Sequence, residues 1–201
     1  MLLRLVLAGL LSLMLPVAAH AAFLTGSCDS DDPGLCEKTL SSTDTTLSIT
    51  LTNTSSSGFI TADAFNIPTN GEIFTLTPSP TSNFTFATGT INTAPFGQRN
   101  AVLSTDPGDF EGGGEPDLGI GAGESVTFNF TVTGGFSDEE ATALFNSEVI
   151  RLRGFEGGGS DKDLILTNGN GSVPEPGTLL LFGLGLAGLA LAARKTSHNR
   201  T

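Results

Sequence analysis

The stretch Ser125–Thr133, SVTFNFTVT, puts Val126, Phe128, Phe130 and Val132 on one side of an extended chain and Ser, Thr and Asn on the other. Strict alternation of this kind suits a strand with one face on a core and one in water, and a helix would scatter the same residues around its circumference. TLSITLTNT repeats the pattern, with Leu47, Ile49 and Leu51 on the apolar side. The segments GFITADAFNI, GEIFTLT, NFTFAT, EVIRLRGF and KDLILTN extend it, separated by Gly, Pro, Asn and Ser clusters. Short strands at this spacing predict a mainly β fold, an antiparallel β-sandwich. One short helix interrupts it, because Ser137 with Glu140 three residues on forms a capping box at the start of SDEEATALFN.

These strands lie within residues 22–172, and the two ends of the chain differ from them. Residues 1–21 hold an early cation, Arg4, an apolar run from Leu5 to Leu15, the helix breaker Pro16 and the small-residue pattern Ala19-His20-Ala21. Those features predict a secretory signal peptide cleaved after Ala21, its apolar run being shorter than the roughly 18 residues of a spanning helix. The exported body, 22–172, then carries 5 cations against 20 carboxylate side chains, a net charge of −15. Such a field repels nucleic acid and anionic lipid and favours cations as partners. Its length fits one domain with a substantial core.

Few residues are left for chemistry. His20 leaves with the signal peptide and His198 lies near the far end, so the body has no histidine, and the chain has no Tyr or Trp. Ser-His-Asp and Cys-His triads, histidine zinc sites and histidine acid/base catalysis are thereby removed. A glycosidase-type carboxylate pair is the remaining enzymatic option, and no local pattern singles out two acids; the body is expected not to be an enzyme. Cys28 and Cys36 bracket CDSDDPGLC and, in an oxidising compartment, are expected to form a disulfide that braces the N-terminal loop.

A five-residue string recurs 45 positions apart: FEGGGEPDL from Phe110 and FEGGGSDKDL from Phe155. One reading is a shared turn solution, with Phe plugging the core, glycines permitting positive φ and acids left in water. The other is a hard-cation site. Glu111, Glu115 and Asp117 on one loop and Glu156, Asp161 and Asp163 on the other are oxygen ligands of the type calcium takes, although neither copy has EF-hand spacing. No cofactor is required by either reading, and calcium is the one the second would add.

The C-terminal segment 173–201 is the most specific object in the chain. Val173-Pro174-Glu175-Pro176 precedes an apolar run from Leu179 to Ala193, and Arg194-Lys195 opens a basic end, 194–201. Two prolines hold the motif extended, where an enzyme can grip it. A helix over 178–193 would span about 24 Å, enough for a transmembrane segment with local thinning and snorkelling of the basic pair, which stays cytoplasmic. This tail closely resembles the PEP-CTERM sorting signal. The resemblance implies recognition by an exosortase at the bacterial inner membrane and delivery to the cell surface or an extracellular matrix rich in exopolysaccharide. It implies nothing about the body, which is expected to be a non-enzymatic surface or matrix protein. The alternatives are a carbohydrate-binding module, which would lack Tyr and Trp as stacking platforms, or an adhesive, glycosylated structural component. Sequons stand at Asn53, Asn83 and Asn129.

Overall fold

Alternation becomes burial wherever the strands form. In the strand Thr46–Asn53, Leu47, Ile49, Leu51 and Asn53 are buried, while the residues between them face outward. The computed structural model describes residues 21–29, 35–77, 83–106, 110, 115–156 and 158–167. The predicted signal peptide, the sorting motif and the transmembrane segment 178–193 lie outside the described residues.

Eleven strands are present among the described residues: β1 Ala21–Asp29, β2 Cys36–Thr43, β3 Thr46–Asn53, β4 Phe59–Phe65, β5 Ile73–Thr77, β6 Thr85–Asn92, β7 Gln98–Ser104, β8 Ile120–Gly121, β9 Ser125–Thr133, β10 Val149–Arg153 and β11 Ser160–Thr167. A 3-10 turn spans Pro116–Leu118, and one α-helix, α1, spans Asp138–Phe145. The pairs are antiparallel and follow the order β5-β9-β3-β2-β1-β11-β10-β4-β7-β6, with β8 paired to β4 off this path. The mainly β, antiparallel expectation with one short helix holds. The two separate sheets of a sandwich do not appear: the strands run along one hydrogen-bonded path that curls nearly closed, like a barrel.

Side chains rather than a ladder bring the two edges together. β5 and β6 are consecutive in sequence yet stand at opposite ends of the strand order. Phe84 and Phe86, at the β6 edge, meet Phe128 and Phe130 of β9 with ring centroids 5.2 and 5.0 Å apart. Phe65 of β4 stacks on Phe86 at 6.3 Å. Edge-to-face and offset pairs of this kind add about 0.5–1.5 kcal/mol each beyond their buried area. Leu40, Leu47, Ile49, Leu51, Phe65 and Phe128 lie in the same enclosed cluster.

The helix contributes to that cluster. Its capping box is complete, with Ser137 Oγ accepting from the Glu140 amide at 3.2 Å and Glu140 Oε2 accepting from the Ser137 amide at 2.8 Å. The Ser137 amide holds the Glu140 carboxyl below the usual range. Ala141, Leu144 and Phe145 are the buried face. A Cβ on Gly26 would stand 2.5 Å from the Leu166 carbonyl and 2.9 Å from the Phe145 ring, so only glycine on β1 lets the helix settle there.

The expected disulfide joins Cys28 of β1 to Cys36 of β2. Both cysteines are buried in the main cluster, and β1 and β2 are central strands. The bond therefore staples a core hairpin instead of bracing only a peripheral loop.

Candidate functional site

Parity along β2 decides the interior's chemistry. Cys36, Lys38, Leu40 and Ser42 share one face, and with Cys36 and Leu40 packed inside, Lys38 is carried in with them. Asp63 on β4 and Glu148, one residue ahead of β10, arrive at the same place. Lys38 is 1 % exposed, and Asp63 and Glu148 are 0 % exposed. Lys38 Nζ donates to Asp63 Oδ2 at 2.6 Å and is ion-paired with Glu148 Oε1. The ammonium also stands 5.6 Å from the Phe65 ring centroid.

One cation faces two carboxyls, so full ionisation would leave a net negative charge in a dry interior. Burial pushes the Asp63 carboxyl above its usual range, with the Lys38 charge and hydrogen bond pulling back. Burial pushes Glu148 well above its usual range, opposed by Lys38 and reinforced by the Asp63 charge. Asp63 Oδ1 and Glu148 Oε2 have no hydrogen-bond partner among the described residues. Buried carboxylate oxygens are rarely left that way. In the sequence these three residues enter only the net charge; the one local signal of burial is that Lys38 lies in phase with Cys36 and Leu40.

The repeated glycine loops resolve differently. Phe110 is 1 % exposed and packs on the outer side of the sheet with Ala62, Ala64, Ile91, Val102 and Val149. Phe155 packs against the main interior cluster instead. Both phenylalanines are plugs, in two different cores. Arg151 Nη1 donates to the Phe110 carbonyl at 2.7 Å, and Lys162 Nζ lies 5.6 Å from the Phe110 ring and donates to the Ala94 carbonyl at 2.9 Å. One cation beside the second copy and one within it thus clasp the first.

Of the six carboxylates considered for calcium, Glu111 lies outside the described residues. Glu115, Asp117, Glu156 and Asp161 are exposed, whereas Asp163 is buried on β11 opposite Ile150. A Cβ on Gly154 would meet Pro116 at 3.1 Å, so the two loops adjoin. Among the described residues, no group of three or more His, Cys, Asp or Glu is placed to hold a metal.

The outward face of β2, β3 and β9 is a ladder of hydroxyls and amides. Ser48 donates to Asn129 at 2.6 Å, Thr50 pairs with Thr127 at 2.8 Å and Thr52 with Ser125 at 2.9 Å. Thr39 and Ser41 of β2 continue the rows, opposite Thr50 and Ser48. Of the thirteen phenylalanines in 22–172, Phe23 alone is exposed. The cavity beneath Arg151 and Phe110 holds only about 10 Å³, the room of one water.

A scan against protein-family models matches the PEP-CTERM protein-sorting motif at residues 172–195. That match agrees with the resemblance carried by Pro174-Glu175-Pro176 and the apolar run after it. It implies an exosortase as processing partner, export, and a membrane-anchored intermediate before processing. Among the described residues, no helix is long and apolar enough to cross a membrane. A search of curated proteins and of solved structures finds no match to the chain.

Proposed function

We propose that the body is a non-enzymatic structural component of the cell surface or the exopolysaccharide matrix, released there when an exosortase cuts near the Pro-Glu-Pro motif. The observation that carries the route is the sorting motif at 172–195. For the body, the hydroxyl ladder on β3 and β9 favours an adhesive, glycan-bearing or glycan-contacting surface over a carbohydrate-binding module. A module that grips sugar rings uses exposed aromatic faces, and here a single exposed Phe23 stands against twelve that are packed.

The route is tested by mass spectrometry of surface-associated protein. The expected chain begins near Ala22 and ends between Val173 and Gly177. Replacing Pro174, Glu175 and Pro176 together by alanine is expected to leave export intact and to hold the protein at the inner membrane with its tail attached. A surface protein that retains Leu179–Lys195 would make the tail a permanent anchor and overturn the reading. Binding of one defined oligosaccharide by the unglycosylated protein on a glycan array would favour the carbohydrate-binding module instead.

Calcium at the glycine loops is a separate proposal, favoured by the Pro116–Gly154 approach and opposed by Arg151 and Lys162 around Phe110. At 1 mM free Ca²⁺ and a dissociation constant of about 10 μM, linkage gives about 2.7 kcal/mol, a rise of several degrees in Tm. An equal rise with Mg²⁺ indicates charge screening alone.

A further inference from the structure

We propose that Lys38 and Asp63 become joined by an intramolecular amide bond, from Nζ to Cγ, with Glu148 as the proton carrier, so that the sheet is cross-linked through its own interior. The inference stands independently of how the tail is processed. It rests on the contact itself: an amine nitrogen 2.6 Å from a carboxyl oxygen, with a second carboxyl oxygen against the same nitrogen and no exposure of either acid to water.

The step balances without an oxidant, reductant or co-reactant. The Lys38 ammonium passes one proton to Asp63, which leaves a neutral amine against a carboxylic acid, the pairing of these groups that condenses. Nζ attacks Cγ. Glu148 takes a proton from the nitrogen at one oxygen and delivers one from the other to the departing hydroxyl of Asp63. One C–N bond forms, one C–O bond breaks, a water leaves, and Glu148 ends protonated as it began. Burial, which raises both carboxyls, favours the protonated acids this sequence needs.

In water the reverse reaction wins because solvent is in vast excess. In the enclosed cluster the reacting groups are held at a high effective concentration, and the product water leaves a largely apolar interior to which bulk water has no access. The amide is neutral, so it also removes the cost of keeping an ion pair and a further carboxyl out of water. β2 and β4 are separated in the sheet by β1, β11 and β10. The bond therefore ties strands that share no ladder, whereas Cys28–Cys36 ties strands that do. A protein working outside the cell, where no machinery refolds it, gains resistance to heat, force and proteases from such a link.

The test uses the full chain, exported and purified, then denatured and cut with trypsin. Trypsin cleaves after a free lysine and not after an acylated one. The expected product is one peptide running through Lys38 to Arg99, lighter than its sequence mass by one water beyond the two hydrogens lost to the disulfide. Its backbone fragments are missing between residues 38 and 63. Glu148→Gln is expected to lower the linked fraction at least tenfold while circular dichroism stays unchanged, and Lys38→Arg to abolish it. The wild-type peptide alone decides the matter if either variant fails to fold. Cleavage at Lys38, with neither flanking peptide short of a water, would overturn the proposal and leave an ion cluster only. Equal linkage in Glu148→Gln would remove Glu148 from the step.

Discussion

Lys38→Met is expected to destabilise the body by about 3–5 kcal/mol near neutral pH, the usual cost of removing one partner from a buried ionic group. For a domain of this length that is a fall of roughly 10 °C or more in Tm. The cause is what remains: Asp63 and Glu148, both fully buried, with no cation between them. Their carboxyls are raised in the fold, so the folded chain holds protons that the unfolded chain has released. The stability tied to that protonation is fully present below the ordinary carboxylate range and is lost as pH rises through the folded values. The variant's deficit is therefore expected to be smallest near pH 4 and to grow as pH rises, at up to about 1.4 kcal/mol per pH unit for each proton held. Urea denaturation across that range measures it. Adding Asp63→Leu and Glu148→Leu to Lys38→Met should recover the part of the loss that comes from orphaned charge, since an apolar replacement of a buried ionic group is often neutral or better. A Lys38→Met deficit that is flat from pH 4 to pH 8 would show that orphaned charge is not the cause, and that lost packing or the lost amide is. In wild type, an amide between Lys38 and Asp63 leaves only Glu148 to titrate, so its slope should not exceed that of one proton.

Where alternation was clean, the fold was legible from the residues. β3, β9, β10 and β11 fall on the segments that period two marks, and α1 begins at the residue its capping box names. β1 escaped because AAFLTGSCD overlaps the signal-peptide boundary and carries Gly26 at the position where Phe145 needs room. β2 escaped because Lys38 and Ser42 stand on its buried face and disguise the pattern. A single curled sheet in place of a sandwich was beyond reach for a different reason. Alternation says which side of each strand is wet, and says nothing about whether β1 pairs with β11 or β4 with β10. The buried trio needed the same pairing knowledge, because Lys38, Asp63 and Glu148 are far apart in sequence and meet only when the sheet curls. The sorting tail needed no fold at all, since its recognition depends on a local motif and a local apolar run.

Asn53→Ala is expected to cost about 3–4 kcal/mol, more than any single exposed polar substitution on the same strand. Asn53 is 0 % exposed and closes a knot of three connections. Its amide nitrogen donates to the Gly58 carbonyl at 3.0 Å and to the Ile120 carbonyl at 2.8 Å, and its oxygen accepts from the Ser55 amide at 3.0 Å and from the Ser55 hydroxyl. Its backbone accepts from Gly123 and donates to Glu124. Alanine keeps the backbone contacts, and the Ser55 N–H keeps the Leu35 carbonyl at 3.2 Å, but the Gly58 and Ile120 carbonyls lose their side-chain donor, a loss worth about 1–3 kcal/mol each, with the total reduced by shared relaxation. Asn53→Asp should be worse than alanine at neutral pH, because it turns two donors into an acceptor facing two carbonyls. The same geometry bears on modification: although Asn53-Thr54-Ser55 reads as a sequon, both amide hydrogens are engaged inside the fold. Asn83 and Asn129, in contrast, are exposed, so among these three sequons glycan attached to the folded protein is expected at Asn83 and Asn129 and not at Asn53. Asn129→Gln serves as the control, with a Tm change within about 2 °C, since its partner Ser48 lies on the solvated ladder. A melting temperature for Asn53→Ala equal to that control would mean that water replaces the lost partners, and that the knot is open to solvent after all.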